Sequence, residues 1–319
     1  MTTAAIADST REPDRKALPS GTKAPIERRK RRLFWPFVLP ALLLYLVFVI
    51  GPTIAAAWIS LHKWSGIGPM TWRGAANYAA LLSDEQFRTA FVNTLLILVV
   101  VGALVFATAF VLTMLLRELR GRKFVRSVLF FPFIVSPIVL SIIWGFIFQH
   151  NGLVNDLLAA LGVTDPIKWL DPDNLLKMIM LGLVWVNTGL FITIILAGVD
   201  RIPAYFYEDS AIAGANAWQR FRNITLPLSW DVVAVAATFW TISSLKLFEF
   251  IFAFGGTTND MPSPSMWNTA LFVYGETFGG RIPSFRFGYA SASALLMLAL
   301  FAVLVVLLRR LLRRESVQY

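Results

Sequence analysis

The sequence has no cysteine, only two histidines and few charged residues. Without cysteine there is no disulfide framework, no thiolate metal site and no cysteine nucleophile. The histidines, His62 and His150, each stand beside the end of an apolar run, which argues against a histidine metal site or proton relay. Charged residues make up 15% of the 319, against about 25% in an average soluble protein. No G-x-x-x-x-G-K-[ST], H-E-x-x-H or G-x-S-x-G pattern occurs. The chain therefore carries no phosphate-binding loop of its own, no zinc-protease helix and no nucleophile elbow.

What fills the space is apolar. Hydrophobic residues account for 57% of the chain, and the mean hydropathy is +0.65. They lie in long uninterrupted runs without the alternation that a barrel strand needs. Six runs are long enough to cross a bilayer as helices: about 34–61, 90–116, 127–149, 178–199, 232–254 and 288–308. Residues 1–32 read as a polar, basic, disordered cytoplasmic tail, and 33–314 as one transmembrane domain followed by a short tail, 315–319. The first run, Leu33 to Leu61, carries no charge and exceeds the short apolar core of a signal peptide, so it reads as a retained span.

A net charge of +10 and a pI near 10.1 would suit nucleic-acid binding, but the placement of the charge argues otherwise. With both termini inside, the inner segments carry 18 lysines and arginines near the spans and the outer loops 7. That is the positive-inside bias of a membrane protein. It explains the basicity without nucleic acid. Pro36, Pro40, Pro52, Pro132 and Pro137 predict packing kinks, which membrane helices tolerate. In the third loop, Leu153, Val154, Leu157, Leu158 and Leu161 form one helical stripe too short to span, an interfacial helix closed by Gly162.

The loop after the fourth span is the most specific stretch: IPAYFYEDSAIAGANAWQRFRNITLPL, residues 202–228. Pro203 suits the first turn of a short helix and Gly214 its left-handed exit. Asn216 followed by Gln219 has the spacing of a capping box that starts a second helix. Trp218 and Phe221, three apart, share a face, and Pro227 introduces the fifth span. Two short helices with a sharp turn, rich in Phe206, Tyr207, Ile212 and Trp218, call for a docking surface.

This segment resembles the coupling loop of ABC importer permeases, E-A-A-x3-G-x9-I-x-L-P. Glu208, Gly214, Ile224, Leu226 and Pro227 match at the family's spacing, while Asp209 and Ser210 replace its two alanines. Further phrases of the carbohydrate-uptake branch, the maltose and glycerol-3-phosphate type, occur in order. They are Asn77 to Leu95, Gly152–Asn155, Trp169–Pro172, Leu196–Gly198, Ile202-Pro203 and Gly288–Ser291; Phe254–Thr257 departs from the family's T-G-G-P. The resemblance implies an all-α membrane fold of six spans, the type I ABC importer permease fold, in a bacterial or archaeal inner membrane with both termini cytoplasmic. It implies no cofactor on this chain, ATP being bound by partners. Those partners would be a second permease chain, two cytoplasmic ATPase subunits that dock on the hairpin, and an external solute-binding protein that delivers a sugar-like solute. Glu208, Asp209, Gly214, Trp218, Phe221 and Pro227 would form the ATPase-coupling surface.

For the solute path, Trp240, Ser244 and Leu247 are spaced i, i+4, i+7 on the fifth span, an aromatic ring and a hydroxyl suited to sugars. The resemblance adds Val186, Asn187 and Leu190 of the fourth span. Lys246 and Glu249, one turn apart, read either as a structural ion pair or as solute contacts. A competing reading, an ion-coupled secondary transporter, would need internal repeats and a midplane ion site. Few acidic residues lie within the spans, and the two halves show no convincing repeat.

Overall fold

The computed structural model describes residues 25–163, 165–255, 261–279 and 283–312. The tail residues 1–24 and 313–319, and Gly256 and Thr257 of the departing motif, lie outside this set. The chain divides into two units, residues 1–54 and 55–319.

In the first unit, α1 (Pro25–Tyr45) leads into a π-helical turn, Leu46–Ile50. Residues 25–32, expected in the disordered tail, are therefore helical. Pro25 starts the helix where a missing N–H costs nothing. Pro36 and Pro40 lie inside it. The helical stretch Phe34–Ser60 is long and apolar enough to cross a membrane.

The elements that follow are α2 (Gly51–Ser60), the paired strands β1 (His62–Lys63) and β2 (Thr71–Trp72), α3 (Ala76–Ser83) and α4 (Glu85–Leu96). After the π-helical turn Ile97–Val101 come α5 (Gly102–Glu118), α6 (Arg122–Ile134), α7 (Pro137–Phe148), α8 (Leu153–Ala160) and α9 (Pro172–Val199). The chain then forms α10 (Tyr205–Ile212), α11 (Ala217–Arg220), the π-helical turn Phe221–Thr225, α12 (Leu226–Leu228), α13 (Trp230–Leu245), α14 (Glu249–Gly255), α15 (Thr269–Thr277) and α16 (Phe287–Leu312).

The second, fourth and sixth expected spans appear as continuous helical runs, Glu85–Arg117, Pro172–Val199 and Phe287–Leu312. The third and fifth are corrected, because each is broken. Pro137 has no N–H to give and holds Ser136 extended (φ −53°, ψ 128°), so 127–149 splits into α6 and α7. The run 232–254 stops at Lys246 and resumes at Glu249. Counted with the bent pair Ala217–Leu228 and Trp230–Leu245, which meet at 75°, up to six helical segments of the described residues could cross a membrane. The interfacial helix of the third loop is α8, and Gly162 follows it with φ +94°.

Within the second unit α9 is the central helix, packed by α5, α6, α13 and α14, while α16 closes the other side against α3, α13 and α15. The approach of α6 to α9 depends on Gly189. A Cβ there would fall 1.9 Å from Leu129 O, so the helix backbones meet directly. Close approach of backbones is how membrane helices gain packing without a hydrophobic drive. Apolar side chains such as Val99, Phe131, Phe146 and Val235 point outward instead, a surface suited to lipid.

Inside this apolar body the hydroxyls of Thr113, Thr193 and Ser293 meet no hydrogen-bond partner, but the polar groups that join α4 to the segment before α15 are satisfied. Asn93 on α4 donates to Ser265 O at 2.8 Å and Trp267 O at 2.9 Å, fastening the segment before α15 to the second span. Beside it Thr94 Oγ1 meets Thr269 Oγ1 at 3.1 Å. Each buried carbonyl so paired avoids a desolvation penalty of about 1–3 kcal/mol.

Candidate functional site

The hairpin 202–228 is built as its spacing predicts. Helix α10 ends at Ile212, and Gly214 turns the chain in the left-handed region at φ +76°. Asn216 then caps α11, accepting from Gln219 N at 2.8 Å, while Asn216 N donates to Gln219 Oε1 at 2.8 Å. Arg220 Nε reaches back to Ala215 O at 3.1 Å and braces the turn.

One face of this hairpin is tied to the membrane body. The Arg117 guanidinium at the end of α5 lies 3.3 Å over the Tyr207 ring. Tyr207 Oη and Thr225 Oγ1 are 3.0 Å apart and join the two arms. Phe110 meets the edge of Phe221 at 5.3 Å, and Phe221 packs on Trp218 at 5.4 Å. Nearby, Arg122 Nη1 and Asp200 Oδ1, 3.1 Å apart, pin the start of α6 to the end of α9.

The other face is open. Glu208, Asp209, Gly214, Trp218 and Pro227 are exposed and Phe221 is half-buried, so the structure brings all six expected residues onto one element. Ile212 is 87% exposed and Trp218 65%, too much apolar surface for a segment with nothing to meet. Neither Glu208 nor Asp209 pairs with a described residue. The arrangement is a rigid two-helix prong carrying two free carboxylates and an aromatic pad.

The expected solute face divides. Asn187, Lys246, Leu247 and Glu249, with Val186, line a cavity of about 280 Å³. Lys246 and Glu249 form no ion pair with each other or with any other described residue, and both are exposed at the wall. Leu190 packs into the hydrophobic core beside the cavity. Trp240 and Ser244 are corrected to interior positions. Trp240 is 3% exposed; its Nε1 donates to Leu98 O at 2.8 Å and lies where a Cβ on Gly102 would be 2.4 Å away. Ser244 is 1% exposed and donates to Thr241 O at 3.0 Å. The i, i+7 spacing misleads because it runs across the break at Lys246, where the helical phase is lost. Leu98, in its π-helical turn, offers the indole an acceptor that no local pattern reveals.

Sequence reasoning missed Phe133, Ser243 and Phe248 on the cavity wall, and Asn268, which sets the break. Asn268 Nδ2 donates to Leu247 O, and its Oδ1 accepts from Leu271 N at 2.9 Å as the cap of α15. An asparagine before a helical run signals the cap; its second bond, 21 residues back along the chain, leaves no such signal.

At the end opposite the hairpin, Lys63, Arg73 and Arg286 border a cleft of about 410 Å³. Arg286 Nη1 lies 2.9 Å from Glu276 Oε2. Burial raises the pKa of Glu276, and the Arg286 charge opposes that shift.

Residues 108–317 match a family described as binding-protein-dependent transport system inner membrane component. The chain is 30% identical over 292 residues to the alpha-glucoside transport system permease protein AglF of Rhizobium meliloti, covering 88% of this chain and 83% of that one. It is 31% identical over 274 residues to the lactose transport system permease protein LacF of Rhizobium radiobacter (85% and 90%). With the trehalose/maltose transport system permease protein MalF of Thermococcus litoralis the identity is 32% over 235 residues (72% and 79%). The fold matches a chain of a solved bacterial ABC transporter involved in the import of the acidic polysaccharide alginate. That match has a TM-score of 0.76 at 22% identity, covering 92% of this chain and 99% of that one.

Proposed function

The chain belongs to the binding-protein-dependent transport system inner membrane components, and from that premise we propose that it is the permease of an ABC importer, lining half of the path for a sugar or sugar-like solute. The relatives named for alpha-glucoside, lactose and trehalose/maltose transport support the solute class. They favour this reading over an ion-coupled transporter. The observation that carries the mechanism is the prong 202–228, tied to the spans on one face and bare on the other.

In this reading two partner ATPase subunits hold the ATP, and one docks on the prong of each permease. Closure of the ATPase pair pushes the prong. Arg117 over Tyr207 and Phe110 on Phe221 pass that movement to α5, and the 75° junction into α13 passes it to the span that ends at the cavity. The second permease, a different chain, completes the path beside Lys246 and Glu249. The external binding protein meets the end that carries Lys63 and Arg73. The hairpin end is then cytoplasmic, as the charge bias requires, in the inner membrane of a bacterium or archaeon.

Two experiments test this. Because the chain lacks cysteine, Arg222→Cys and Asp165→Cys each report one exposed position. A membrane-impermeant maleimide should label position 165 in intact spheroplasts and position 222 only after permeabilisation. Outside labelling at 222 would overturn the orientation.

The second compares the cavity wall with the interior. Lys246→Ala and Glu249→Ala should leave thermal stability within about 0.5 kcal/mol while lowering or re-tuning sugar uptake by the assembled importer. Trp240→Ala should instead cost about 3–5 kcal/mol of stability, because it empties a buried site and strands Leu98 O. Unchanged uptake and selectivity in both charge variants would move the path elsewhere.

A further inference from the structure

Helices α6 and α9 are fastened together at two levels. At the hairpin end Arg122 pairs with Asp200, and further along Gly189 rests on the backbone of Leu129. Between these ties the helices enclose an open cavity of about 360 Å³, lined by Lys123, Arg126, Ser127, Phe130 and Thr193. The four α6 residues recur at i, i+3, i+4 and i+7, so they form one stripe. Polar and basic residues occupy its first turns and an aromatic ring its last. From Lys123 to Phe130 the stripe descends about 10 Å, enough to run from the polar headgroup layer, about 5–8 Å thick, into the upper acyl chains.

The charges in this cavity are unanswered. Arg122 spends its guanidinium on Asp200, whereas neither Lys123 nor Arg126 pairs with any described residue. Both sit in the first turns of α6, whose dipole disfavours cations. At the cavity floor the Thr193 hydroxyl is hidden from solvent and meets no hydrogen-bond partner. Two cations without a partner among the described residues, at a helix start, beside the Phe130 ring and at the membrane boundary, suit an anion that brings its own hydrocarbon.

We propose that the groove between α6 and α9 binds the headgroup of an anionic glycerophospholipid, its phosphate between Lys123 and Arg126 and its chains running past Phe130. Ser127 adds a hydroxyl, which donates to Lys123 O at 3.0 Å and leaves its oxygen free to accept from a headgroup hydroxyl. The site stands beside the tie at Asp200, from which the chain enters the hairpin. A lipid there braces the base of the prong. The inference rests on the reading that this end faces the cytoplasmic leaflet; labelling at position 222 tests that separately, so the two failures are distinguishable.

The full-length chain, purified in neutral detergent, is titrated with phosphatidylglycerol or phosphatidylcholine and the bound lipid is counted by native mass spectrometry. Wild type should prefer phosphatidylglycerol by about ten- to thirtyfold, the contribution of two basic residues at a membrane surface. K123Q/R126Q should lose that preference, whereas K123R/R126K should keep it, and so should K63Q/R73Q at the opposite end. Circular dichroism and monodispersity should match wild type throughout, because Lys123 is exposed and Arg126 only half-buried. An equal preference in wild type and K123Q/R126Q would overturn the proposal. So would equal retention of both lipids by wild type, or displacement of phosphatidylglycerol by millimolar inorganic phosphate, which would mark a free-anion site.

Discussion

Replacing Gly189 with leucine should abolish the folded chain. A Cβ at this position would lie 1.9 Å from Leu129 O, 2.6 Å from Leu129 C and 2.8 Å from Phe130 Cα. All three obstacles are backbone, so no rotamer change relieves them. Helix α6 would have to leave α9, breaking the contact that seats the third span on the central helix. Overpacking of a core by side chains alone costs about 1–3 kcal/mol, and a backbone collision costs more. Even alanine should destabilise, although alanine in an ordinary helix gains about 1 kcal/mol over glycine. Gly145 on α7 is the control: nothing lies within 4 Å of a Cβ there, so Gly145→Ala should be neutral or stabilising. Size-exclusion profiles and melting temperatures in detergent read both. A monodisperse Gly189→Leu protein with an unshifted melting temperature would show that α6 does not depend on this contact.

Stimulated ATP hydrolysis and uptake should fall at least about tenfold in Gly214→Val and in Glu208→Lys, with the chain still inserted. No atom lies within 4 Å of a Cβ at Gly214, so valine meets no obstacle. Its cost comes from φ +76° alone, about 1–2 kcal/mol for an L side chain. That is small beside a stability of about 5–15 kcal/mol, but it suffices to re-aim α11 relative to α10. Gly214→Asn should retain more activity, because asparagine tolerates the left-handed region. Glu208 touches no described partner, so Glu208→Lys should leave stability within about 0.5 kcal/mol while reversing a charge that an ATPase surface would meet. Normal coupled hydrolysis in both variants would remove the prong from the mechanism. Loss of insertion in Gly214→Val would make Gly214 a folding residue instead.

Sequence and structure divide along a physical line in this protein. Residues that act locally were legible. Long uncharged runs have one stable home, the bilayer, so the spans and the all-helical class follow from composition. Gly214, Asn216 and Gln219 act within a few residues of one another, so the sharp turn and the capping box could be read from spacing. Glu208, Trp218 and Phe221 then fell where that local geometry had to put them. The solute face was legible only in part. Asn187, Lys246, Leu247 and Glu249 reached the cavity, but Trp240 turned inward because an acceptor at Leu98 and the space above Gly102 lie on a helix 142 residues away in sequence. The break at Lys246 is held by Asn268, and the pairing of α6 with α9 by the backbone of Leu129. Apolar periodicity says that a helix is buried on some face. In a chain apolar nearly all round, only tertiary packing decides which face meets protein, which meets lipid and which is left for the solute.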